Sequence, residues 1–496
     1  MAVSLISGQG IILLGHIVLV PQFLRAWGAE GYGTWIALSA FVAYLGTLDF
    51  GLNVYAANRM SQAWAVGDYD KFRQIQTTSL VFYSVVGTII IAAAGTVASL
   101  PYSPNILSSI SRSVFLTTGI LATQVVVSIP AGLIVNTYRT LGRPSVSSWV
   151  GNWLRLAVVI STAITLSLEG TMEQVAGTQL ILNLLVPAAI LVHLRLTLPQ
   201  AFPRISNFRI SVLKESISPS FHFGLITIGT AAVVQSSTLL VASTFGAVAL
   251  AQFQVTRTLA NVLRQAFGVL NGTLWPELTV WDAQAERHKF RAASRLHILT
   301  SATCAVIGAV VLHTIGAQII TVWTEGRIIA NQPLLDTAIL YVALQAPWMA
   351  ASVTLAATNN HDEFARRSVF SGLLGLIVGY VLSMQFGPAG VFMGFALSEG
   401  LLYQHWTLKS ACQMADDRYK EFAIKLWVGV PVVALGAWVG ANVAPTLLQS
   451  NGVLSWGVIA VGATVCGILT SYVTWFTGPD RDSVQTWFRL NAIRSA

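Results

Sequence analysis

Arg257 and Arg264 stand inside a long apolar stretch, and the polar residues around them repeat with helical spacing. Gln254, Arg257, Asn261, Arg264, Gly268 and Asn271 follow one another at steps of three and four, so one face of a helix carries all six. A charged side chain at mid-bilayer costs about 2.5–3.5 kcal/mol, so this face must look into water or onto polar partners rather than lipid. A guanidinium keeps its charge at any physiological pH, and its planar fork matches phosphate oxygens. Binding of an anionic substrate in a wet cavity is the chemistry these residues suit. A network of interhelical hydrogen bonds is the alternative.

Other intramembrane polar residues add to the pattern. Asp49 has Asn53 one turn on, a pair that could bind a proton or cation and couple transport to an ion gradient, or hold Arg264 in a closed state. Glu399 follows small residues in another apolar stretch and suits either ion coupling or a helix-packing hydrogen bond. Ser148, Asn152 and Arg155 share one helical face; Arg155 is a further candidate for binding the substrate in the cavity, or it snorkels to the surface from a nearby span end. Gln345, Ser352 and Asn359 recur at heptad spacing as a second cavity wall. His16 and His313 are isolated on apolar helices and read as packing residues, as do Cys304, Cys412 and Cys466, which lack metal-ligand spacing.

The elements that carry these residues are membrane spans. A bilayer core about 30 Å thick needs roughly 20 apolar residues in a helix. Fourteen such stretches fit the chain: 4–24, 33–57, 77–100, 115–135, 146–166, 175–194, 221–244, 250–274, 296–323, 338–357, 369–386, 390–408, 424–443 and 454–476. Of 28 Lys and Arg, 22 fall in the gaps on one side of this arrangement, 3 on the other, and Arg155, Arg257 and Arg264 within helices. Basic loops stay cytoplasmic, so both termini are expected inside the cell. Residues 1–24 have no basic start and read as the first span rather than a signal.

Composition agrees. The chain is 54% hydrophobic and 10% charged, with a mean hydropathy of +0.67, whereas a soluble globule carries about 25% charged residues. The net charge of +8 is scattered over many loops, which excludes a nucleic-acid patch. No GxxxxGK[ST], HExxH, paired CxxC or GxSxG motif occurs, so neither ATP hydrolysis, a metal site nor an enzyme is expected, and no cofactor.

The two halves are related at an offset of about 218 residues. Trp27-Gly28-Ala29 corresponds to Phe245-Gly246-Ala247, Trp35 to Phe253, Phe50-Gly51 roughly to Phe267-Gly268, and Phe72 to Phe290. Six spans per repeat preserve orientation, which predicts two lobes about an axis along the membrane normal that rock around a central cavity. The expected organisation is an N-lobe at 1–198, a cytoplasmic amphipathic connector at 199–219, a C-lobe at 220–410, and a helix pair with a short tail at 411–496. Ile205, Phe208, Val212 and Leu213, interleaved with Arg204, Arg209 and Lys214, suit a short surface helix in the connector.

Leu48-Asp49-Phe50-Gly51-Leu52, then Asn58-Arg59 and Gly67-Asp68-Tyr69, resemble the span-two signature of bacterial polysaccharide and O-antigen flippases of the Wzx type. So does the run from Trp27 to Trp35. These flippases belong to the multidrug/oligosaccharidyl-lipid/polysaccharide exporter superfamily. The resemblance in layout covers the whole chain. It implies an all-α, multi-pass protein of the bacterial plasma membrane with a cationic cavity, moving a polyprenyl-diphosphate-linked oligosaccharide by alternating access. It also implies a coupling proton or Na+, and a polysaccharide polymerase with its chain-length machinery as partners, in O-antigen, capsule or exopolysaccharide assembly. Asp49 matches the acid of that signature, whereas Arg257 and Arg264 match only a general tendency toward cavity cations. Gln235-Ser236-Ser237 departs from the family, whose members often place an acid there. A multidrug or organic-cation antiporter of the same superfamily is the alternative; it would favour an acidic, aromatic cavity over arginines. A membrane scaffold without transport is a third reading, which the polar stripe argues against.

Overall fold

In a bilayer no water is at hand for peptide groups, so an apolar chain must pair its N–H and C=O groups within each segment, as a helix does. The computed structural model describes residues 2–49, 51–99, 112–358, 362–448 and 453–475, and among them it is helical throughout, with short turns. Phe50, Asn359, and Arg481, Arg489 and Arg494 of the C-terminal tail lie outside the described residues.

The helices are α1 (Ala2–Ala43), then a 3-10 turn at Tyr44–Asp49, α2 (Leu52–Ala65), α3 (Tyr69–Ser99), α4 (Arg112–Thr140), α5 (Pro144–Ser167) and α6 (Met172–Thr197). There follow α7 (Ile210–Ala283), α8 (Arg287–Trp323), α9 (Gln332–Ala357), α10 (Asp362–Phe386) and α11 (Ala389–Glu399). A π turn at Gly400–Gln404 leads to α12 (His405–Met414), and α13 (Tyr419–Leu447) and α14 (Val453–Trp475) complete the order. Among the described residues, 11 helices are long and apolar enough to cross a membrane. Large apolar side chains such as Leu14, Ile89, Ile377, Val428 and Leu469 are exposed on them, as suits lipid rather than water. This is a multi-pass membrane protein.

The difference from fourteen expected spans arises at three places. Gly28 (φ 69°, ψ −176°) breaks α1, and Gly246 (φ 80°, ψ 179°) breaks α7. Helix α1 holds the expected span 4–24 and the start of 33–57, whose remainder falls on the 3-10 turn and α2, and α7 holds 221–244 and 250–274. The expected span 390–408 is divided by the π turn that follows Glu399.

Left-handed residues recur at the expected offset. Besides Gly28 and Gly246, Gly67 (φ 77°) pairs with Ala285 (φ 56°), and Glu169 (φ 57°) with Gly387 (φ 61°), each 218 positions later. The hydrogen bonds of one pair match too: Asp68 N–H donates to Ala63 O, and Glu286 N–H to Trp281 O, both at 2.9 Å. These are the 6→1 bonds that close a helix C-terminus over a left-handed residue. Phe72 and Phe290 then follow, both fully buried. Turn geometry thus repeats where sequence identity is weak.

By internal packing the chain divides into two units, Met1–Ala251 and Gln252–Ala496. The first has a core of Leu52, Ala56, Met60, Phe72, Leu133 and Leu194, all buried. In place of a separate surface helix, the connector forms 3-10 turns at Pro199–Ala201 and Ile205–Asn207, and α7 starts at Ile210. It is tied to α3, because the Arg204 and Arg209 N–H groups donate to the Thr77 and Thr78 hydroxyls at 3.2 and 3.1 Å.

In the second unit, small residues let helices touch. A Cβ on Gly394 would meet the Gly379 backbone, and one on Gly440 the Gly462 carbonyl, so α10 packs on α11 and α13 on α14 at backbone distance. The α13–α14 pair is pinned to α8 through Ile298, Leu299, Leu426 and Trp475. At the helix ends, Arg295 makes a two-pronged bond to Asp417, with Nη2 at 2.7 Å from Oδ1, and lies over the Phe422 ring at 5.5 Å.

Candidate functional site

Within the second unit, the arginine stripe of α7 lies against an aromatic ladder. Arg257 sits over the Phe253 ring at 5.4 Å, and its Nη2 donates to the Gln254 side chain one turn back. Phe253 stacks on Phe392 of α11 at 4.7 Å with 16° between planes, and Phe392 meets Tyr341 of α9 at 6.0 Å. Arg264 caps the ladder, its guanidinium 5.8 Å from the Tyr341 ring centre. Rings whose faces carry negative potential hold both cations, each contact worth roughly 0.5–2 kcal/mol.

Glu399 completes this cluster. It is half-buried at the end of α11. Tyr341 Oη donates to its Oε1 at 2.8 Å, and Gln345 Nε2 lies 3.1 Å from both carboxylate oxygens. Arg264 is near enough for the opposite charges to act on one another, and its buried Nε has no hydrogen-bond partner. Tyr341 and Gln345 are one turn apart on α9, so a single helical face presents both donors. The π turn begins at the next residue after Glu399, and such bulges often accompany functional sites. Arg264, Glu399 and Gln345, picked separately from the sequence, are therefore brought together. Asn261 is half-buried on the same helix. Ser352 bonds back to Met349 O at 2.8 Å within its own helix.

Asp49 belongs to the first unit. It ends the 3-10 turn, and Gly51 (φ 72°) then starts α2; this left-handed geometry favours glycine. Three donors converge on Oδ1: the Asn53 backbone N–H and Nδ2, each at 3.1 Å, and Tyr83 Oη at 2.5 Å. Asn53 Nδ2 also reaches Ile129 O of α4 at 3.1 Å, so the acid links α2, α3 and α4.

Arg155 lies in another place again, a cleft of about 470 Å³ between α1, α4, α5 and α6 whose lining mixes polar and apolar residues. Its Nη1 donates to Asn152 Oδ1 at 3.1 Å, and buried Asn152 anchors to Ser4 O at 2.7 Å. His313, read as a packing residue, instead pairs with Asp336 at 2.7 Å. The phenols Tyr83 and Tyr341 escaped the sequence reading; the signal for one was its position a turn before Gln345. Among the described residues, no group of three or more His, Cys, Asp or Glu could hold a metal ion.

The structure superposes on "Lipid II flippase MurJ, inward closed conformation" with a TM-score of 0.64 and 13% identity, over 96% of this chain and 98% of that one. The chain shares the fold of that flippase. A multidrug resistance MATE family transporter of the MOP superfamily, inward-facing, matches 84% of the chain and 95% of its own at TM-score 0.60 and 12% identity. A MOP superfamily transporter from Pyrococcus furiosus, described as having a binding pocket of reverse polarity, matches 86% and 95% at TM-score 0.56 and 10% identity. At such identities the likeness is one of fold. No family profile and no curated protein matches the chain in sequence.

Proposed function

We propose that this protein carries a lipid-linked oligosaccharide across the bacterial plasma membrane by alternating access. The glycan repeat unit rides on a polyprenyl diphosphate and serves O-antigen, capsule or exopolysaccharide assembly. The observation that carries this reading is the extent of the likeness: the lipid II flippase fold accounts for 96% of the chain, while the MATE fold leaves about a sixth of it unmatched. The arginine stripe of α7 agrees, since a diphosphate calls for cations where an organic-cation antiporter would call for acids. In this reading 1–198 and 220–410 are the moving lobes, 411–496 is an appended pair, and both termini are cytoplasmic. Gln254, Arg257 and Asn261 attract the headgroup. Glu399 with Arg264 and Gln345, and Asp49 in the other unit, are the groups on which a proton or Na+ would act. Polymerase and chain-length proteins would take the product on the outer face.

Replacing Arg257 by Gln should lower outer-leaflet glycan at least tenfold in a strain lacking the native gene, with the protein still present in membranes at wild-type level. Unimpaired glycan export, or drug sensitivity as the only phenotype of the deletion, would refute the assignment.

A further inference from the structure

We infer that the cleft between α1, α4, α5 and α6 is a second recognition site, one that holds the phosphate and first sugars of a glycosyl phosphate within the N-terminal unit alone. Its lining brings together two arginines, Arg139 and Arg155, with four carboxamides, Gln9, Asn136, Asn152 and Asn183. Ser128, Ser147 and Ser148 add hydroxyls, and no acidic residue is among the lining residues. From sequence, Arg139 counted only as a basic loop residue; the structure places it on the wall of a cavity instead.

Each polar part of the lining has a chemical counterpart, beside apolar residues such as Ile12, Val135 and Leu154. Guanidinium forks recognise phosphate oxygens in two-pronged geometry. A carboxamide donates and accepts in one plane, which suits the paired hydroxyls of a sugar, and serine hydroxyls do both as well. A cationic drug would find no carboxylate there. A volume of about 470 Å³ falls within the usual ligand range of roughly 300–1,000 Å³.

The site is built in advance. Asn152 is 2% exposed, bonded to Ser4 O on one side and to Arg155 on the other, so the arginine is held from beneath. Gly8 makes room for this: a Cβ there would come within 2.7 Å of Asn152 Oδ1. The cleft lies at the end of the bundle that carries the N-terminal end of α1 and the turn before Pro144. On the charge bias of the loops that end is cytoplasmic, the side on which a donor awaiting export is presented. The inference rests on the flippase reading for direction of travel, but not for binding.

Two sources could supply the phosphate, a glycosyl diphosphate lipid or an ordinary anionic phospholipid, and binding tests separate them. The full-length protein in phosphatidylcholine nanodiscs is titrated with citronellyl diphosphate carrying N-acetylglucosamine, then with sugar-free citronellyl diphosphate, then with phosphatidylglycerol as competitor. Arg139→Gln and Arg155→Gln should each weaken the sugar-bearing probe at least tenfold, and Arg155→Lys less. Asn136→Ala and Asn183→Ala should weaken it about threefold to tenfold while leaving the sugar-free diphosphate unchanged. Undiminished binding in the Arg139→Gln/Arg155→Gln double variant, its melting temperature matching wild type, would overturn the site. Equal competition by phosphatidylglycerol, with no effect of the asparagine variants, would overturn its glycan selectivity. Because binding is read without transport, glycan export that does not depend on the protein would remove the flippase reading and leave the binding result standing.

Discussion

The first unit keeps its acid on a broken helix, and the second keeps its own where a helix bulges. At the positions 218 beyond Asp49 and Tyr83 stand Phe267, fully buried, and Ser301, whose hydroxyl has no partner. Asn271 takes the place of Asn53 and bonds His297 instead, at 2.9 Å. Gly51 has no left-handed counterpart either; α7 runs on as helix through that point. The repeat shares the kinks at Gly28 and Gly246 and the left-handed turns, yet the hydrogen-bonded carboxylate of the second unit, Glu399, stands on another helix. A turn needs only a backbone conformation, which many sequences can supply. A site needs particular donors at particular distances, and those diverge first.

The two acids also differ in how their charge is held. Asp49 has three hydrogen-bond donors, while Glu399 has donors and the cation Arg264 near it. Removing one charge from such a half-buried set leaves the other uncompensated, at a cost of about 3–5 kcal/mol. Arg264→Ala should therefore lower stability by an amount of that order, and Arg264→Ala/Glu399→Gln should recover most of it. Thermal unfolding of the detergent-solubilised protein reads both. A comparable loss for Asp49→Asn, with no rescue in the double variant, would erase the distinction between the units.

A smaller effect sharpens the same contrast. Tyr83 and Tyr341 each donate to their acid, and each acid keeps another donor residue, Asn53 on Asp49 and Gln345 on Glu399, but only Glu399 also has the cation Arg264 near it. A hydrogen bond to a charged group is worth roughly 1.5–3 kcal/mol. Tyr83→Phe should cost about that much, and Tyr341→Phe less, because Arg264 remains beside Glu399 whereas Asp49 keeps only neutral donors. Melting curves of the two variants give the order; the reverse order would mean that Tyr341 acts chiefly through its ring beneath Arg264.

How far this was legible follows from the physics of each signal. The arginine stripe shows in sequence because helical periodicity is local, and Gly28 and Gly246 show because glycine between aromatic and small residues marks a break. The partners of Asp49 and Glu399 do not show. Tyr83 lies 34 residues from Asp49 and Tyr341 58 from Glu399, and a tyrosine in an apolar helix reads equally as an interfacial anchor. Arg139 was hidden too, since a basic residue at a span end counts as topology before its place on a cleft wall can be seen. His313 looked isolated because Asp336 approaches from the next helix. Among the described residues the spanning helices number eleven rather than fourteen because hydropathy sees apolar length, and neither a glycine kink nor a π turn alters it.

The smallest effect concerns the shared scaffold. The left-handed turn after α2 uses Gly67, but its counterpart after α7 uses Ala285, at φ 56°. An L residue there pays roughly 1–2 kcal/mol of steric strain, and glycine in its place gives back about 0.4–1 kcal/mol through the greater freedom of the unfolded chain. Ala285→Gly should then stabilise the second unit by about 0.5 kcal/mol, and Gly67→Ala should destabilise the first by a similar amount. Both substitutions lie away from the acids, so the transport proposed above should stay at the wild-type level. A change of opposite sign in either melting temperature would show that the two turns are held by different contacts, and that the recurrence of their geometry is not a recurrence of energetics.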